Sequence, residues 1–175
     1  WFRLPGKEWD SVTLTGIQTQ PFKINTLAAM PDGRIMGAAR DYQDCFIFDP
    51  KTGQFTILGK PPLAFGTMEW LGGKMYLLGY PGTYVMEYDP ARPWTAGTTT
   101  ATYKEPPLAS PESNPRECHR WSVDVMPTHF IRASALGADG LIYFGAHAER
   151  QDVGGGLGWW DPVARKAGGL RAPFL

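Results

Sequence analysis

A strand-turn-strand unit ending in Asp-Pro occurs three times in this chain, and that recurrence limits the fold more than any other feature. Its clearest copy runs Gly72-Gly73-Lys74-Met75-Tyr76-Leu77-Leu78-Gly79-Tyr80-Pro81-Gly82-Thr83-Tyr84-Val85-Met86-Glu87-Tyr88-Asp89-Pro90. A Gly-Gly turn leads into an apolar strand, a Gly/Pro loop reverses the chain, an aromatic-rich strand follows, and Asp-Pro forces another turn. An earlier copy runs from Asp32-Gly33 through Ile35 to Phe48-Asp49-Pro50, and a later one from Asp139-Gly140 through Tyr143 to Trp159-Trp160-Asp161-Pro162. Seventeen positions separate Asp32 from Asp49 and Gly72 from Asp89. Twenty-two separate Asp139 from Asp161, so the third copy carries five extra residues in its loop.

Asp49 and Asp89 lie 40 residues apart, which fits a unit of four short antiparallel strands and is too short for strand-helix-strand crossovers. Each Asp-Pro turn leads into a further strand candidate, residues 53–58 after the first and 166–170 after the third. Residues 9–14 read as a matching last strand of a unit whose start lies outside the chain. With 21 Gly and 16 Pro spread throughout, no capped segment of helical period appears. The predicted fold class is all-β: blades of four antiparallel strands in one domain. Residues 1–16 give the last strand of a preceding blade, 17–60, 61–104 and 128–175 one blade each, and 105–127 a proline-rich insertion. The best strand candidate near that insertion is 98–103.

The chain of 175 residues is 43% hydrophobic and 13% aromatic, enough for a packed core. Its 17 basic residues balance 17 acidic ones, which argues against a nucleic-acid surface or polybasic membrane patch. No apolar run approaches membrane-spanning length. Beginning at Trp1 without a signal-like stretch, the chain reads as a processed, trimmed or excised segment, and its compartment stays open. Cys45 and Cys118 are too few for a disulfide framework. They are free to pair or not, and Cys45, in an apolar run, reads as a small buried hydrophobe. Cys118 beside His119 suggests a thiolate and its base only superficially, since adjacent residues on a strand point to opposite faces.

The Gly-Lys-Met-Tyr-Leu-Leu-Gly strand, its Gly-rich loop and Val-Met-Glu-Tyr-Asp-Pro resemble blades of bacterial β-propellers of the broad kelch-like and regucalcin-like group. Residues 154–162, Gly-Gly-Gly-Leu-Gly-Trp-Trp-Asp-Pro, match that group's habit of ending a third strand in aromatic-Asp-Pro. The resemblance covers residues 21–170 apart from the insertion and implies fold, not chemistry. Propellers close with four to eight blades. The expectation is therefore a partial propeller whose remaining blades come from missing sequence or from another chain. The alternative is a small four-bladed closure using residues 1–14 and the insertion.

In such a meander the loops between second and third strands share one end with the connections between blades. Arg40, Asp41, Tyr42 and Asp44 fall in the first such loop, Tyr80 and Tyr84 in the second, and His147, Glu149, Arg150 and Asp152 in the third. His129 and Arg132 enter the same end. Arg40, Asp41, Tyr42, Tyr84, Arg132 and Arg150 are the candidate substrate-binding residues, suited to an acidic carbohydrate through stacking and bidentate contacts. The catalytic candidates are His147, His129 and Tyr80. In polysaccharide-lyase chemistry a histidine takes the proton, Tyr80 returns one, and Arg132 neutralises a uronate carboxylate. His129, His147 and Asp152 or Glu149 form a possible donor set for a divalent ion, but no ligand spacing enforces it, and no cofactor is specified. Glu69 and Glu87 read as structural or surface residues. Two functions follow: a ligand-binding or protein-interaction module, and alternatively a carbohydrate-active, lyase-like enzyme. Clustering of Tyr80, His129, Arg132 and His147 favours the enzyme.

Overall fold

The computed structural model describes residues 23–39, 44–80, 82–95, 112–122, 128–148 and 155–171. Within them the chain forms strands and no helix: β1 (Ile24–Ala29), β2 (Ile35–Ala39), β3 (Cys45–Asp49), β4 (Gln54–Gly59), β5 (Ala64–Leu71), β6 (Lys74–Tyr80), β7 (Tyr84–Tyr88), β8 (Arg116–Arg120), β9 (Thr128–Leu136), β10 (Ile142–Ala148), β11 (Gly155–Asp161) and β12 (Lys166–Arg171). They pair as three four-stranded antiparallel meanders, β1 to β4, β5 to β8 and β9 to β12. These are blades one, two and three.

The repeated turns form as the repeated residues require. Gly33, Gly73 and Gly140, at equivalent turns, have φ of 89°, 80° and 80°, a region that other L-residues avoid. At each Asp-Pro turn the aspartate accepts a bond from the backbone two residues on: Lys51 N to Asp49 at 2.8 Å, Ala91 N to Asp89 at 2.9 Å, and Val163 N to Asp161 at 2.9 Å. In blades one and three these Asx turns fix the reversal into the fourth strand, whereas in blade two the turn at Asp89 opens the excursion that precedes β8.

Strand alternation sends two sets of side chains to opposite faces, and each joint between blades buries one set from each side. Between blades one and two lie Met36, Ala38, Cys45, Ile47, Phe65, Met68, Met75, Leu77 and Met86. Tyr76, Leu78 and Val85 of blade two meet Ile131, Ile142, Phe144 and Trp160 of blade three. The first strands run alongside one another, β1 by β5 and β5 by β9. At Gly66 the approach is so close that a Cβ would stand 2.1 Å from the Ile131 carbonyl oxygen. Thr67 and Ser134 hydroxyls meet across this gap at 2.6 Å, and Ser134 bonds Glu69, also at 2.6 Å. Asn25 donates from β1 to the Phe65 carbonyl.

The expected boundaries shift in blade two. Its fourth strand, β8, lies inside the stretch 105–127 assigned to an insertion, so the excursion falls within the blade, between β7 and β8. Asn114 ties its base: its Nδ2 reaches the carbonyls of Asp89, Arg92 and Pro93 at 2.9 to 3.0 Å, and its Oδ1 accepts from Asp89 N at 2.8 Å. The candidate strand 98–103 and the expected strand 9–14 lie outside the described residues.

Both cysteines are free. Cys45 is buried in the first joint, and Cys118 packs beside the second. Burial pushes the Cys118 thiol up to about 11, so it stays protonated near neutrality and is no thiolate partner for His119.

Candidate functional site

Tyr80 ends β6, His129, Phe130 and Arg132 stand at the start of β9, and His147 lies near the end of β10. Antiparallel pairing brings these positions to one end of blades two and three, since His147 sits opposite Phe130 and Tyr80 opposite Ala64. Two buried threonines hold β9 there: Thr83, in the turn before β7, bonds the Thr128 hydroxyl and, at 3.2 Å, its carbonyl.

Around Phe130 the side chains converge. The Tyr80 ring lies 5.0 Å from the Phe130 ring and meets His129 edge-on at 4.7 Å. His147 stacks nearly parallel to Phe130, 5.9 Å away and 7° from coplanar. The Arg132 guanidinium carbon sits 4.0 Å above the same ring, a cation-π contact that orders the cation while leaving it exposed. His147 Nδ1 lies 2.7 Å from the Ala148 carbonyl oxygen. A carbonyl only accepts, so this bond puts the proton on Nδ1 and leaves Nε2 as the lone-pair nitrogen of neutral His147.

Tyr80, His129, Arg132 and His147 thus come together, while Tyr84 does not join them. Its ring is fully buried in the first joint and its hydroxyl bonds the Ala64 carbonyl at 2.8 Å, which withdraws it from any ligand. The reason is Gly79 opposite: a Cβ there would stand 2.2 Å from the Tyr84 hydroxyl, so the missing side chain makes room for the ring. Arg40, Asp41, Tyr42, Glu149, Arg150 and Asp152 lie outside the described residues. Among the described residues no three His, Cys, Asp or Glu side chains are grouped to hold a metal ion. His129 and Arg132 belong to β9 itself, not to a connection before it.

Phe130, the hub, was missed by sequence reasoning. The run His129-Phe130-Ile131-Arg132 carried the signal, because alternation puts Phe130 and Arg132 on one face.

No protein-family model and no curated protein matches the sequence. Solved structures do. A structural genomics protein of unknown function from Bacteroides thetaiotaomicron VPI-5482 superposes with a TM-score of 0.56 at 15% identity, over 83% of this chain and 31% of that one. The PQQ-bound aldose sugar dehydrogenase of Streptomyces coelicolor, a β-propeller, superposes with a TM-score of 0.51 at 19% identity, over 82% of this chain and 46% of that one. At such identities the likeness is one of fold: three propeller-like antiparallel sheets. The chain spans less than half the length of either structure.

Proposed function

We propose that this chain is a β-propeller segment acting as a ligand-binding module, with an acidic carbohydrate as the ligand class. The observation that carries the reading is the convergence of Tyr80, His129, Arg132 and His147 on Phe130. Aromatic faces stack against sugar rings, and an ordered guanidinium matches a uronate carboxylate. Similarity to a propeller that acts on aldose sugars is consistent with a carbohydrate ligand. Titration calorimetry with uronate oligosaccharides tests it. Arg132→Ala is expected to weaken Kd by about tenfold or more, from the ~1.5–3 kcal/mol of a charge-assisted hydrogen bond. An unchanged Kd overturns the assignment.

Clustering of two histidines with a tyrosine and an arginine also favours a second reading, a polysaccharide-lyase-like enzyme. There His147 or His129 removes the proton beside the uronate carboxylate, Arg132 stabilises the developing charge, and Tyr80 protonates the leaving oxygen. Ultraviolet absorbance of the unsaturated product reports it. Turnover unchanged in His147→Ala excludes that base.

The three blades form part of a ring completed from adjoining sequence or another chain. The apolar side chains left on the outward faces of blades one and three support this.

A further inference from the structure

The first strands carry a β-bulge at the same place in every blade. One extra residue is inserted opposite two neighbours of the second strand: Asn25 facing Ala38 and Ala39, Gly66 facing Leu78 and Gly79, and Arg132 facing Gly145 and Ala146. A second bulge in β9 inserts His129 opposite His147 and Ala148. Bulges re-aim side chains that regular alternation would send to opposite faces. The adjacent residues His129 and Phe130 accordingly both reach Tyr80. In blades one and two the bulge residue also addresses the next blade, at the carbonyl just ahead of that blade's bulge. From Asn25 an amide reaches the Phe65 carbonyl, whereas at Gly66 the backbone itself meets the Ile131 carbonyl.

We infer that Gly66 is a positioning residue for the candidate site: its missing side chain, with the clamp of Thr67 on Ser134 beside it, sets how closely Tyr80 approaches His129 and Phe130. The inference rests on reading that cluster as a binding site. Tyr80 belongs to blade two, and His129, Phe130, Arg132 and His147 to blade three, so the cluster assembles only when the second joint closes. Gly66 is outside the left-handed region, so space and not conformation is what requires glycine. A Cβ there would stand 2.1 Å from the Ile131 carbonyl oxygen and 3.1 Å from the Phe130 ring edge. Backbone cannot swing aside as a long side chain can, and β9 is tied to blade two on both sides of this contact. Ahead of it Thr83 bonds Thr128, and beyond it Thr67 meets Ser134, whose hydroxyl donates to Glu69. Volume added at residue 66 must therefore push Phe130 and Ile131 away from blade two, carrying His129 off Tyr80. Arg132 over Phe130 and His147 stacked on it travel together, because the ladder joins β9 to β10.

Nuclear Overhauser spectra of the 175-residue chain, labelled in Phe, Tyr and His, test this without a ligand. The parent should show peaks from Tyr80 to His129 and Phe130, across the joint, and from Phe130 to His147, within blade three. Gly66→Ala is expected to lose the first two and keep the third. Met36→Ala, a truncation buried in the first joint, serves as control: it should lower Tm and keep all three. Ser134→Ala removes the clamp without adding volume and is expected to weaken the two cross-joint peaks by less. Peaks retained in folded Gly66→Ala, or lost equally in Met36→Ala, overturn the assignment. If Gly66→Ala does not fold, Ser134→Ala decides, and unchanged peaks there overturn it as well. Calorimetric titration with uronate oligosaccharides on the same samples separates this inference from the ligand reading beneath it. A parent that binds no uronate overturns that reading while the peaks still judge the geometry. A parent that binds, with equal affinity in Gly66→Ala despite its lost peaks, overturns the positioning role.

Discussion

The two joints between blades are built from different materials. The first is apolar almost throughout, with Met30, Met36, Met68, Met75 and Met86 around Leu77, Phe65 and Tyr84. Thioether chains adapt to irregular gaps and demand no partners, so this joint is held mainly by area, with Asn25 donating to the Phe65 carbonyl and Trp94 Nε1 to the Lys60 carbonyl at 3.3 Å as its polar bonds. The second joint buries aromatic rings, Trp121, Phe144 and Trp160, and threads polar bonds between them. Glu87 is nearly buried, accepts from Tyr76 at 3.1 Å and from Arg116 at 2.6 and 3.0 Å, and faces Arg165. Trp121 donates to the Gly168 carbonyl at 3.1 Å, and the hydroxyls of Thr67 and Ser134 meet. Directional bonds fix how blade three sits on blade two. The Tyr80, Phe130 and His147 cluster straddles the joint whose register is fixed in this way.

The largest effect that separates the two is expected from Leu77→Ala in the apolar joint. Leu77 is fully buried, and truncation there leaves a cavity costing about 2–5 kcal/mol. Urea unfolding should show this loss unchanged between low and high salt. A marked salt dependence would mean that the first joint contains electrostatic support that its side chains do not reveal.

Glu87→Gln addresses the second joint. The carboxylate is nearly buried, but Arg116 and Arg165 are 38% and 46% exposed, so solvent screens their half of the interaction. A loss on the order of 1–2 kcal/mol is expected, toward the low end for bonds to charged groups. The parent should lose stability as salt rises, and the variant much less. Equal salt dependence in both proteins would remove the ion pairs from the account of this joint.

How much of this was readable in the chain follows the range of the forces involved. The turns were legible because they are local: Asp-Gly, Gly-Gly and Asp-Pro act within four residues, and the strands between them formed where expected. The likeness of Tyr80, His129, Arg132 and His147 as neighbours was also legible, since meander parity alone brings their loops and strand ends to one side. β8 was not. Arg116-Glu117-Cys118-His119-Arg120 has neither alternation nor a run of β-branched residues, and it is a strand because β7 offers an open edge and Glu87 a partner for Arg116. Tyr84 went astray for a similar reason. Its polar, loop-end setting suggested a ligand, but the space over Gly79 decides its direction, and that space exists only once β6 and β7 are paired. The difference in character between the joints depends on Glu87 meeting Arg165 from another blade, a pairing that no local pattern announces.

The smallest expected effect is a pH dependence confined to the second joint. His119 is half-buried there, edge-on to Trp121 at 4.6 Å and parallel to Trp160 at 6.0 Å, and burial lowers its pKa below the ordinary 6.5, while nearby Glu117 pulls the other way. A histidine held below its unfolded value binds protons less readily when folded. Above 6.5 both states are neutral and nothing is gained or lost. As pH falls through 6.5 the unfolded chain takes up protons first, so stability declines until the folded-state value is passed. His119→Phe keeps a ring between the two tryptophans and removes the titration, so the fall in Tm from pH 7 to pH 5 should be shallower in the variant than in the parent. The carboxylates held low by partners, Asp32 by Arg34 and Asp89 by Lys74, titrate further into acid and are common to both proteins. An identical fall in both would show that the aromatic packing around His119 tolerates its charge. The second joint would then owe none of its pH response to His119.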